Sequence, residues 1–285
     1  MNLKNISRDF TRIRNGQLHI SDVPGYIEHT APILRQITEI WDGRDLSLVL
    51  AKSIYPKAEI ERVSQHCKES HLALIATIKT RFPSIAVPSG ELVLGTKTAS
   101  GHAVKRGDKV VFWLALESHY SKRQIEVFLP HEAAHAIHYS VNPAFYPDTK
   151  ENYYRTGRAL WAEGLATFFS KKILGISAAD ALWADFHSET WKREWMAYCR
   201  VHEGEWFETA TRQFDSVVDN GQWFLTDETR EFELNRIGYY LGCRLVEKAA
   251  THHSMEELFH LSLDNIHKLC KVKGDAQWNS KIRSF

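Results

Sequence analysis

Several features that would mark a specialised class are missing from this chain. Its four cysteines, Cys67, Cys199, Cys243 and Cys270, stand far apart with no Cys-x-x-Cys pair. That excludes a disulfide framework or a paired-cysteine metal motif, and free buried thiols in a reducing compartment are expected instead. No run of about 18 apolar residues occurs, so no membrane-spanning helix is expected. The first residues, Met1-Asn2-Leu3-Lys4-Asn5, lack the apolar stretch of a secretory signal, and a cytoplasmic protein is expected. Neither sign of charge is in excess: 36 Lys and Arg against 35 Asp and Glu give a net +1, scattered along the chain. A basic field for nucleic acid is therefore absent, as is a charged tail, and neither a nucleic-acid nor a membrane partner is expected. Internal repeats and low-complexity linkers are missing too, so residues 1–285 are read as a single unit.

What is present suits a soluble globular protein. Apolar residues make up 44% and charged residues 25% of the 285, enough for a sizeable core without crosslinks. The patterning divides the chain into three subregions. Residues 1–83 read as helical, with a strong stripe from about Lys57 to Arg81 formed by Ile60, Val63, Cys67, Leu72, Leu74, Ile75 and Ile78. Residues 84–120 read as a small antiparallel sheet of three strands, Glu91–Gly95, Gly101–Val104 and Lys109–Leu116, with a tight turn at Arg106-Gly107-Asp108. The last strand is apolar on both faces and should be covered on both sides. Residues 121–285 read as helical again, and the fold class expected is α+β.

Two segments of the helical part carry chemistry. His131-Glu132-Ala133-Ala134-His135 places two imidazoles four residues apart, on one helix face, where both can reach one ion at about 2.0–2.1 Å. Glu132 is rotated about 100° from His131 and falls to the side of the metal, where it can take a proton from a water. Trp161-Ala162-Glu163-Gly164-Leu165-Ala166 supplies Glu163 as a third ligand, leaving one position open as catalytic zinc sites do. The first helix is expected either to start near Pro130 or to be kinked there, and to end near Tyr139. The second is expected from about Thr149 to Leu174, with Asp148 as N-cap and Gly175 as its stop. The pentapeptide sits among apolar residues (Phe128, Leu129, Ala133, Ala134, Ala136, Ile137), where a buried Glu between two His needs a partner.

Together His131, His135, the Ala162–Ala166 string and the later Gly238-Tyr239-Tyr240-Leu241-Gly242 resemble the gluzincin group of metallopeptidases. They are more closely similar to a family described only as zinc-dependent proteases, over residues 110–250. The resemblance implies the ligand set His131, His135 and Glu163, with Glu132 as general base, and does not supply a substrate; one Zn2+ per chain and a peptide or protein substrate are expected. It also suggests Tyr239 as donor to the developing oxyanion, with Tyr240, His119 and His202 as lesser choices; the bland alternative is a packing helix in which Gly238 and Gly242 allow close approach. One departure stands out. Thermolysin-like enzymes carry an aspartate four residues after the ligand glutamate to orient a histidine, and here that position is Thr167, so another partner must fix the imidazole tautomer. A three-histidine metzincin site fails because its third histidine would fall at Val141; His138 is read as buried rather than ligating.

Trp161, Trp183, Trp191 and Trp195 are expected as core anchors. The strand Val110–Leu116 is a candidate to pair with an extended substrate, if it lies at a sheet edge. The function expected is therefore a zinc metallopeptidase. Two rivals are a zinc hydrolase of a non-peptide amide or other small molecule, and a non-catalytic, zinc-stabilised binding module.

Overall fold

The computed structural model describes residues 2–41, 45–95, 97–118, 121–217, 223–224 and 235–271. Its strands are β1 Leu3–Asn5, β2 Thr11–Arg14, β3 Gln17–Ile20, β4 Tyr55–Pro56, β5 Gly90–Val93, β6 Gly101–Arg106 and β7 Lys109–Ala115. The α-helices are α1 Val23–Ile40, α2 Leu46–Lys52, α3 Lys57–Arg81, α4 Lys122–Val141, α5 Lys150–Tyr153, α6 Thr156–Leu174, α7 Ala178–Trp183, α8 Glu189–Arg212, α9 Ile237–Ala249, α10 Met255–His260 and α11 Leu263–Lys271. Two small sheets set among helices give the α+β class that the patterning predicts. Among the described residues, no helix is long and apolar enough to cross a membrane.

The N-terminal part is less helical than expected. Helix α3 has the expected bounds, and Ile60, Val63, Cys67, Leu74 and Ile78 are buried along it, whereas Leu72 faces solvent. Ahead of it, β2 and β3 form a hairpin across Asn15-Gly16, both with positive φ (49° and 75°). Asn-Gly is the sequence that adopts such a turn at least cost, because both central residues need the left-handed region. Strand β4 extends the hairpin to a three-stranded antiparallel sheet.

The second sheet, order β1-β5-β7-β6, is mixed rather than purely antiparallel. The β6–β7 hairpin is antiparallel and turns at Gly107 (φ 64°), as expected, but β5 pairs parallel with β7, and β1 parallel with β5. The cause is strand order: the chain leaves β5, passes beyond the position of β7 to lay down β6, and returns between them. Strand β7 is therefore central, with Phe112, Trp113, Leu114 and Ala115 buried, and it cannot be the substrate-pairing edge considered above. That edge is β6.

Helix α4 begins at Lys122, not near Pro130, and runs through that proline to Val141. Its start is set by a capping box: Ser121 Oγ accepts from the Gln124 backbone N–H, and the Gln124 side chain accepts from the Ser121 N–H. The expected second ligand helix is split. Thr149, not Asp148, caps the short α5, while Asp148 accepts from the Asn152 side chain. Helix α6 starts afresh at Thr156 because Thr156 N–H and Gly157 N–H bond to Ser216 and Phe214 carbonyls, and Arg155 bridges to Val217. It stops at Gly175 in the left-handed conformation (φ 65°). Helices α6 and α9 touch at glycines: a Cβ on Gly164 would lie 2.1 Å from the Gly242 carbonyl carbon, and one on Gly242 2.0 Å from Leu160 O. Trp161, Trp183 and Trp195 are core residues, as expected, and Trp191 is half-buried.

Candidate metal centre

Helices α4 and α6 bring three ligand atoms to one point. Glu163 Oε2 lies 3.2 Å from His131 Nε2 and 3.4 Å from His135 Nε2, and the two Nε2 atoms are 3.3 Å apart. As hydrogen bonds alone these contacts conflict, since two imidazoles crowd one carboxylate oxygen while their nitrogens face each other. Ligands at about 2.0–2.1 Å in a tetrahedral set are separated by about 3.3–3.4 Å, so the triangle has the size that a single zinc ion needs. All three residues are buried, with 6%, 1% and 5% of their surface exposed for His131, His135 and Glu163. Burial opposes ionisation of Glu163, but the neighbouring His135 and His131 overcome it and hold the carboxyl well below the usual range. Burial alone would depress His135, yet the Glu163 charge raises it. The cluster thus favours a positive charge at its centre.

A looser trio shares two of these residues: His102, His135 and Glu163 present ligand atoms within 4.8 Å of one another. The tighter triangle fits one ion, so His102 is better described as a neighbour of the cluster than as part of its ligand set. It was not foreseen from sequence. It comes from β6, and its ring packs 4.6 Å from that of His135. The Tyr139 hydroxyl lies between them, 3.5 Å from His102 Nε2 and 3.4 Å from His135 Nδ1. With Nε2 of His135 turned to a metal, its proton sits on Nδ1 and points to Tyr139, which fixes the tautomer. Tyr139, four residues beyond His135 on the same helix face, is thus a partner of the kind that the missing aspartate calls for. Thr167 does not take that role by a direct bond, for its hydroxyl and His131 Nδ1 both lack a hydrogen-bond partner among the described residues.

Glu132 lies beside the triangle. Its Oε2 is buried without a hydrogen-bond partner among the described residues, and burial pushes its carboxyl up to about 8, with His135 opposing and Glu163 reinforcing the shift. Burial thus disfavours the carboxylate form of Glu132 in the metal-free site, and a cation held by the triangle would favour it. Room for it is made by β6: a Cβ on Gly101 would come within 2.8 Å of Glu132 Cγ.

Tyr239 and Tyr240 point different ways. The Tyr239 ring stands 6.2 Å from that of His131, and burial and then the Glu163 charge raise its hydroxyl well above the ordinary value. Tyr240 is buried and donates to Glu203, which Arg244 also holds at 3.2 Å. Tyr153 was also missed from sequence; its hydroxyl is raised by burial, then by Glu163 and Tyr239, and its ring lies 5.5 Å from that of His102. His202 stacks against Trp206 and contacts Tyr198, all on α8, and His119 lies outside the described residues. His138 is buried, with both ring nitrogens unpartnered among the described residues. Two surface concavities, of about 700 and 170 Å³, include no residue of the cluster.

Residues 57–268 match a protein family described as "Predicted Zn-dependent protease (DUF2268)". No curated protein and no solved structure matches the chain.

Proposed function

The chain belongs to this family of predicted Zn-dependent proteases, and from that premise we propose that it is a gluzincin-type metallopeptidase with one zinc per chain, held by His131, His135 and Glu163. The observation that carries the reading is the 3.2–3.4 Å triangle of two imidazole nitrogens and one carboxylate oxygen from two helices. When bound, zinc supplies a Lewis acid that polarises a carbonyl and makes water acidic enough to attack at neutral pH. The chain's own residues do the rest. Glu132 accepts the proton of the attacking water at its carboxylate and returns it to the leaving amine. The Tyr239 hydroxyl, kept protonated by burial, donates to the oxygen that gains charge as the carbonyl is attacked. Tyr139 holds His135 in one tautomer.

One observation bears on the rivals. The buried Glu132, whose Oε2 has no hydrogen-bond partner among the described residues, counts against a purely structural zinc site, which has no use for a base. The test is Glu132→Gln. It should keep about one zinc per chain while hydrolysis falls by at least about 100-fold; activity within a few-fold of wild type would remove the base assignment.

A further inference from the structure

Strand β6 is one of the two outer strands of its sheet and passes beside the candidate ligand cluster, with Gly101 against Glu132 and His102 against His135. Residues of an antiparallel edge strand alternate between bonding inward and facing out. The bond from Ala115 N–H to Ser100 O sets the phase: Ser100, His102 and Val104 bond to the β7 side, and Gly101, Ala103 and Lys105 face outward. Two of those three outward residues are already engaged. Ala103 O accepts from Gln36 Nε2 at 3.0 Å, and Lys105 N–H donates to the Tyr146 hydroxyl at 3.3 Å.

Neither plug is loosely held. Gln36 is buried on α1, and its Oε1 accepts from Trp113 Nε1 at 3.0 Å. Tyr146 has its ring edge-on to Tyr139 at 5.8 Å, with the Lys105 ammonium 4.2 Å above it. Between them the Trp41 and Tyr153 rings pack on His102 at 5.7 and 5.5 Å and on each other at 5.4 Å. A strand laid along β6 can pair at Gly101 but meets the side chains of α1 and Tyr146 from Ala103 onward.

We propose that the site takes the end of a chain, in the form of short oligopeptides, and not an internal stretch of a longer polypeptide. The proposal rests on the zinc-peptidase reading. It assigns Gln36 and Tyr146 as specificity-determining residues that cut short the strand pairing by which an extended substrate would otherwise run on through the site. A longer substrate must displace them: its own backbone takes their place on Ala103 O and Lys105 N–H, and the Gln36 amide and Tyr146 hydroxyl lose these partners.

The test compares two peptide pools on the zinc-loaded, full-length protein, read by mass spectrometry. One pool has about four randomised residues with free ends; the other embeds the same residues in long Gly-Ser arms, acetylated and amidated, and the short pool should be cleaved at least about tenfold faster per bond. Tyr146→Phe, which keeps the ring and removes only the hydroxyl, should narrow that ratio, and Gln36→Ala should narrow it further where it folds. Equal rates on the two pools, or a ratio unmoved in both variants, would overturn the proposal alone. Cleavage of neither pool would instead remove the peptidase reading, and the proposal with it.

Discussion

His138 shows how burial sets the behaviour of a single side chain here. It sits on α4 against Phe145, with ring centroids 4.5 Å apart, and stacks on Tyr139. Burial, and then the charges of His135, Arg158 and His260, pull its pKa down to about 3. An unfolded chain takes a proton at this histidine near pH 6.5, while the folded chain refuses one until near 3. Between those values the unfolded state binds more protons, so stability falls as the pH falls, by about 1 kcal/mol between pH 7 and 5.5. His138→Phe should remove that contribution and two buried nitrogens that have no hydrogen-bond partner among the described residues. Urea midpoints at pH 7 and 5.5 should lie closer together in the variant than in the wild type; an unchanged interval would show that His138 does not titrate as described. At this scale the spacing of His131, Glu132 and His135 was legible, because helical geometry alone puts them together. His102 and Tyr153 were not, because they come from other elements; Tyr139, four residues beyond His135 on the same helix face, was written locally and was passed over.

Among elements, the crossing of α6 and α9 sets the site's dimensions. Gly164 follows the proposed ligand Glu163 directly, and Gly242 lies about one turn beyond Tyr239, so the same close approach positions both side chains. Reading the Gly-Tyr-Tyr-Leu-Gly segment as a packing helix and as a source of a site tyrosine are therefore compatible. Gly242→Ala would set a methyl 2.0 Å from Leu160 O, a backbone atom that cannot move alone. We expect about 1–3 kcal/mol of destabilisation and weaker zinc retention against a chelator. Gly204→Ala on α8, where a methyl meets nothing within 4 Å, is the control and should be neutral or stabilising by up to about 1 kcal/mol. Loss of stability in both would trace the effect to glycine itself, not to the crossing. Helix α3 was legible to the residue because its periodicity is local, as was the Gly175 stop. The Asn15-Gly16 hairpin and the Ser121–Gln124 capping box were also written locally and were passed over. The parallel β5–β7 pairing and the break before α6 were not legible, since each depends on a distant partner: strand order in one case, residues 214–217 in the other.

Over the whole molecule, the ligand helices are packed under a sheet whose outer strand supplies Gly101 and His102, while α1 covers that strand's far half. A buried triangle of two imidazoles and a carboxylate, with no ion to bind, concentrates like-facing polar atoms in a core. Metal binding should therefore raise stability as well as enable chemistry, in proportion to the logarithm of free zinc over its dissociation constant. The central claim is that His131, His135 and Glu163 hold one zinc ion. The most direct measurement is zinc per chain, by elemental analysis after equilibrium dialysis at a fixed free-zinc level, for the wild type and for Glu163→Ala. The account predicts about one zinc in the wild type and clearly less in the variant, since loss of one of three protein ligands leaves too few to retain the ion. Equal zinc content in the two proteins would contradict it.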